Sequence, residues 1–142
     1  MEVWELAARE AIRETVAAYA HCADSGRFDE FAALFAADGV LEVHGQAPVQ
    51  GRDAIRAYLG GVGTDLARDT TVPLIRHHVS NLRIDVVSAD EARGACYFLA
   101  VTEHGVDHWG RYRDVLVPVD GRWLFASREA SADGFSPGSL MR

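Results

Sequence analysis

Cysteine is scarce in this chain: Cys22 and Cys96 are the only two in 142 residues. One falls in a helix-like segment and the other in a strand-like one, with nothing else suggesting a disulfide framework. Both read as reduced thiols, which points to a cytoplasmic protein. No Lys/Arg run occurs and the formal net charge is −7, a balance that argues against nucleic acid and anionic membrane as partners. No apolar stretch approaches bilayer-spanning length. The opening MEVWELAARE has neither the basic start nor the apolar core of a secretory signal. GxGxxG, P-loop and Gly-x-Ser-x-Gly patterns are missing. Gly60-Gly61-Val62-Gly63 follows a helix rather than a strand, so it is no nucleotide cradle. Six histidines are present, but no His/Asp/Glu spacing resembles a zinc or facial-triad site, and His104 and His108 bracket a turn. Neither a metal nor a cofactor is expected.

What is there reads as one globular domain over 1–142, with a core from about 11 to 130 and a tail from 132. The composition, 49% apolar and 25% charged, is ordinary for such a domain. Ile12, Val16, Tyr19, Ala20 and Ala23 keep the 3.6-residue beat of a helix with one buried face. Gly26 ends it, and Phe28, Phe31, Ala32, Leu34 and Phe35 predict a second, shorter helix. Gly39 to His44 alternates as a short strand, with Pro48 to Gly51 placed to pair with it. Asp53 caps, or nearly caps, a third helix through Ile55, Tyr58 and Leu59 that Gly60-Gly61 stop. Val62 to Pro73 reads as a loop long enough to serve as a pocket rim or lid. Four long strands follow, at Leu74–Val87, Glu91–His104, His108–Pro118 and Arg122–Asp133. Their links are short, Asp120-Gly121 being a strong hairpin signal. An antiparallel meander of such long strands must twist, curl and bulge. The prediction is an α+β fold in which three helices cover the concave face of a strongly curved, mostly antiparallel sheet.

Several local phrases carry a resemblance. They are Ala18-Tyr19-Ala20-His21-Cys22-Ala23-Asp24, Leu34-Phe35-Ala36-Ala37-Asp38-Gly39-Val40, Gly51-Arg52-Asp53-Ala54-Ile55, Arg76-His77-His78-Val79-Ser80-Asn81, Gly110-Arg111-Tyr112-Arg113-Asp114 and Asp120-Gly121-Arg122-Trp123. Together with the order of elements, they resemble the SnoaL-like group of the NTF2-like (cystatin-like cone) superfamily, over about Ala11 to Arg128. The scaffold hosts dehydratases, isomerases, cyclases, epoxide hydrolases, dioxygenase β-subunits and plain binders.

Tyr19 and Asp24 lie near the buried side of the first helix. A carboxylate at the negative end of a helix is unfavourable unless a partner holds it. The resemblance to scytalone- and bile-acid-type dehydratases implies a catalytic set of Tyr19, Asp24 and a histidine on the first long strand. His77 and His78 are adjacent on that strand and point to opposite faces. Strand phase barely decides between them, and the family phrase aligns its histidine with His77. Tyr112, Arg128 and His78 are candidates for substrate binding. Arg128, where the family often carries an arginine, would bind a substrate oxygen or neutralise Asp24 or Asp114. Against these stand plain structural roles: a core tyrosine, a helix-end carboxylate and a core histidine.

Two function classes follow. One is a cofactor-independent dehydratase or isomerase acting on a small hydrophobic hydroxy- or keto-compound, polyketide, aromatic or steroid-like. His77 would be its base, Asp24 would hold the ring, and Tyr19 would donate to the carbonyl oxygen. The other is a non-catalytic ligand-binding or subunit-pairing module resembling a dioxygenase β-subunit. Apolar residues on the outer sheet face (Leu99, Val101, Trp109, Val115, Val117) predict a homodimer or homotrimer. Phe135, Leu140 and Met141 predict that part of the tail folds over a pocket mouth or a neighbouring subunit.

Overall fold

The computed structural model describes residues 1–67 and 74–141, with backbone alone for 63–67. Three helices, α1 (Val3–Asp24), α2 (Phe28–Ala32) and α3 (Arg52–Ala67), accompany strands β1 (Phe35–Val43), β2 (Val49–Gln50), β3 (Arg76–Ser88), β4 (Glu91–Thr102), β5 (Gly105–Val119) and β6 (Arg122–Phe135). The strands form one sheet in the order β2-β1-β6-β5-β4-β3. The β3–β6 meander is antiparallel as expected, whereas β1 joins β6 in parallel, so the sheet is mixed. Among the described residues no helix is long and apolar enough to cross a membrane.

Alternation writes the concave face into the strands. On β4, Ala92, Cys96, Phe98 and Ala100 point inward and are buried, while Arg93, Ala95 and Tyr97 point out. Tyr112, Asp114 and Leu116 of β5 continue that inner face, and Phe125 and Arg128 of β6 complete it. The buried stripe of α1 (Ala8, Ile12, Val16, Tyr19, Cys22) lies over it. Thr15 fixes the helix to the sheet by donating its hydroxyl hydrogen to the Trp123 carbonyl at 2.5 Å. Asp120 and Gly121 both take positive φ (50° and 79°), as the predicted hairpin requires.

Several boundaries differ from the sequence reading. α1 begins at Val3, well before Ala11. α2 stops at Ala32, because Phe35 already pairs with Phe125 of β6 and opens β1. Gly60-Gly61 do not stop α3, which continues to Ala67; a helical glycine costs only about 1 kcal/mol. The predicted loop from Val62 is therefore helical as far as Ala67, and the rest of it, 68–73, lies outside the described residues. β5 starts at Gly105, so the β4–β5 turn is at Glu103-His104, and β6 runs on to Phe135.

Register shifts at Ser80/Arg83, Ala100/Val101, Trp109/Gly110 and Val115/Leu116 bend the long strands. Gly110 sits at one of these shifts, between Trp109 and Gly110. A Cβ there would lie 2.0 Å from the Ser131 carbonyl oxygen and 2.8 Å from the Phe98 ring. Gly110→Ala must part β5 from β6, and we expect a loss of about 2–3 kcal/mol, read as a lower urea midpoint. A wild-type midpoint would show that the bend does not depend on glycine.

Candidate active site

Asp24, the last residue of α1, faces the start of β3. Its Oδ2 accepts the His77 backbone N–H at 2.8 Å, and its Oδ1 lies 2.6 Å from His77 Nδ1. These bonds supply the partner that a carboxylate at a helix C-terminus needs. With a carboxylate at Nδ1, the neutral His77 ring carries its proton there and leaves Nε2 as the basic nitrogen.

A second imidazole stands beside the first. His108 of β5 lies 6.0 Å from His77, centroid to centroid, with the rings at 77°. Its Nδ1 is 2.8 Å from Asp107 Oδ2, so this ring too has a carboxylate partner. Register explains the encounter. His77 pairs with Ala100, which pairs with His108, so the two imidazoles flank one small residue across three strands. Phe98 packs against both rings, at 6.4 and 5.8 Å.

Below the dyads the wall turns aromatic and then cationic. Phe98 stacks on Tyr112 at 4.6 Å, and Tyr112 meets Tyr19 edge-on at 5.6 Å. The Arg128 guanidinium lies over both tyrosine rings, 4.2 Å from that of Tyr19 and 3.8 Å from that of Tyr112. Arg128 has 0% exposure. It donates from Nε and Nη2 to Asp114, at 2.8 and 3.2 Å. Its Nη1 has no hydrogen-bond partner among the described residues. Burial works against the Arg128 charge, but Asp114 outweighs it and holds the proton more tightly than usual. Burial also raises the Tyr19 hydroxyl to about 12 against the pull of Arg128, which keeps it a neutral donor.

Of the residues singled out from sequence, Asp24 and His77 meet directly, and Tyr19, Tyr112 and Arg128 form a second cluster joined to them through Phe98. His78 does not belong. Strand alternation puts it on the outer face, exposed and opposite Leu99, so it cannot line this site. His108, Asp107 and Phe98 were not foreseen. The adjacent Asp-His pair was visible, but a misplaced β4–β5 turn hid its alignment with His77. Among the described residues, no three His, Cys, Asp or Glu side chains group to hold a metal ion.

Asp107 is subject to opposing effects. Burial alone would raise its pKa, but hydrogen bonds from Ser139, the Leu140 amide and His108 outweigh it and hold the carboxyl below its ordinary range. A group lowered in the folded state adds stability above its unfolded pKa and loses it as pH falls through the folded one. Asp107→Asn should therefore lower stability at neutral pH and flatten the decline below about pH 4. Urea midpoints followed from neutral into acid check this; an acid limb of unchanged slope would contradict it.

The comparisons agree with this architecture. A family model described as a SnoaL-like domain matches residues 4–129. A "Putative Scytalone Dehydratase" from Novosphingobium aromaticivorans DSM 12444 is 31% identical, with a TM-score of 0.81 over 96% of this chain and 91% of that one. An NTF2-like protein with a cystatin-like fold from N. aromaticivorans is 27% identical, with a TM-score of 0.77 over 96% and 86%. A protein from Catenulispora acidiphila, solved in complex with S-DNPA, is 30% identical, with a TM-score of 0.73 over 88% and 92%. No curated protein matches significantly. A SnoaL-like match across most of the chain, on an NTF2-like cone whose helix and first long strand meet at Asp24 and His77, makes this chain a member of the SnoaL-like domain family.

Proposed function

We propose that this protein is a cofactor-independent dehydratase or isomerase acting on a small hydrophobic hydroxy- or keto-compound of polyketide, aromatic or steroid-like character. One observation carries the reading: two imidazoles 6.0 Å apart, each with a carboxylate at Nδ1. Proton removal beside a carbonyl needs a fixed base, and loss of a β-hydroxyl needs an acid within reach. His77 Nε2 takes the proton from the carbon next to the carbonyl, and Asp24 stabilises the imidazolium that forms. The C–H electron pair becomes the enolate double bond. In this reading Tyr19 donates to the oxygen as its charge develops, with the Arg128 cation packed against the Tyr19 ring. In dehydration the enolate collapses, the C–O bond breaks, and protonated His108 gives its proton to the departing hydroxyl as water. In isomerisation the abstracted proton returns to a different carbon.

The family, which includes dehydratases and isomerases, supports this reading. So does the relative named a "Putative Scytalone Dehydratase". The test is incubation with aromatic and polyketide-like β-hydroxyketones in D2O, followed by mass spectrometry for loss of water or uptake of deuterium. His77→Gln, Asp24→Asn and His108→Gln should each lower turnover about 100-fold or more, with near-wild-type circular dichroism. Compounds that bind the wild type without exchange or water loss would favour the non-catalytic module instead.

The outer sheet face supports self-association as a homodimer or homotrimer. Tyr97 and Trp109 are 56% and 40% exposed there, beside partly exposed Leu99, Val101, Val115 and Val117. Light scattering at micromolar concentration should give a multiple of 15.5 kDa, and a monomer would rule self-association out.

A further inference from the structure

Neighbours on a regular strand point to opposite faces, yet Asp107 and His108 are both buried, at 6% exposure each. A bulge explains this. Val101 pairs with Val106 and Ala100 with His108, so Asp107 is the extra residue and its side chain is re-aimed. Its carboxylate then needs donors, and the chain after β6 supplies them. Phe135 stacks on the His108 ring at 6.1 Å, and the Ser136 amide donates to the Asp107 carbonyl at 2.8 Å. The Ser139 hydroxyl donates to Asp107 Oδ2 at 2.7 Å and the Leu140 amide to Oδ1 at 3.0 Å. Oδ2 is the oxygen that faces His108 Nδ1.

We propose that Asp107 is a positioning residue that fixes His108 in the Nδ1–H tautomer, and that the Ser139–Leu140 turn is the clamp that holds Asp107 in place. The C-terminal segment is then a working part of the centre. With both clamp donors made, the carboxylate cannot rotate away, and His108 keeps one proton at Nδ1, which leaves Nε2 as the nitrogen that loses and regains a proton beside His77. An amide in place of the carboxylate can donate to Nδ1 and send the proton to Nε2, which reverses what the ring offers a substrate. The importance of His108 rests on the proposed proton-transfer reading, but its tautomer can be measured without turnover.

The experiment is a long-range proton–nitrogen correlation spectrum of the histidine rings in the 15N-labelled full-length protein. In the wild type, neutral His108 and His77 should both show the Nδ1–H pattern. Asp107→Asn should convert His108 to Nε2–H while His77, held by Asp24, stays as it was. Ser139→Ala should give a mixture at His108, and Ser139→Thr, which keeps the hydroxyl, should restore the wild-type pattern. An Nε2–H pattern for wild-type His108, or no change in Asp107→Asn, would overturn the positioning role. An unchanged His108 in Ser139→Ala would overturn the clamp, and so would equal shifts at both histidines. Should Asp107→Asn fail to fold, the Ser139 pair still decides. Wild-type turnover in His108→Gln, with the tautomer pattern as expected, would sink the catalytic reading and leave this one standing.

Discussion

The Arg128 guanidinium lies at the bottom of the cone with no exposed surface, and Asp114 takes hydrogens from two of its nitrogens. Removing either partner strands the other as a lone charge in a dry core, at about 3–5 kcal/mol. The rings of Tyr19, Tyr112 and Phe125 pack against the cation, so α1, β5 and β6 are tied together at one point. Apolar side chains of similar volume would fill the same space without the desolvation penalty. What the ion pair adds is a charged donor deep in a water-poor site, with Nη1 free of any partner among the described residues. Under the proposed function, that donor meets the oxygen on which enolate charge gathers.

The rim depends on a different constraint, the curl of the sheet. Two strand spacings would hold side chains on β3 and β5 roughly 10 Å apart in a flat sheet. Here the imidazoles meet at 6.0 Å on either side of Ala100, next to the register shift between Ala100 and Val101. The bulge that re-aims Asp107 also places the second carboxylate. Fold geometry, rather than any local motif, assembles the pair of dyads.

That difference explains what could be read from the sequence. Helix periodicity marked Tyr19 as buried, and the dipole argument marked Asp24 as needing a partner, which is what His77 provides. The β5–β6 turn was legible because Asp120-Gly121 tolerates positive φ at both positions. The β4–β5 turn carries no such pair. Taking Gly105-Val106-Asp107 as the link set His104 opposite His108, whereas the structure sets Ala100 there. That small slip removed His108 from the site. Nor could spacing reveal β1 joining β6 in parallel, since that pairing links opposite ends of the chain. The face of His78 followed once strand phase was fixed, and phase came only with coordinates.

The two imidazoles and the Arg128 guanidinium are separated by the stacked pair Phe98 and Tyr112, whose rings lie within 21° of parallel. Under the proposed function, a substrate held at the imidazoles would lie against that aromatic pair, since Phe98 packs on both His77 and His108. The tail reaches the same residues from the other end of the chain, because Asp107, whose carboxylate faces His108 Nδ1, takes hydrogen bonds from the Ser139 hydroxyl and the Leu140 amide.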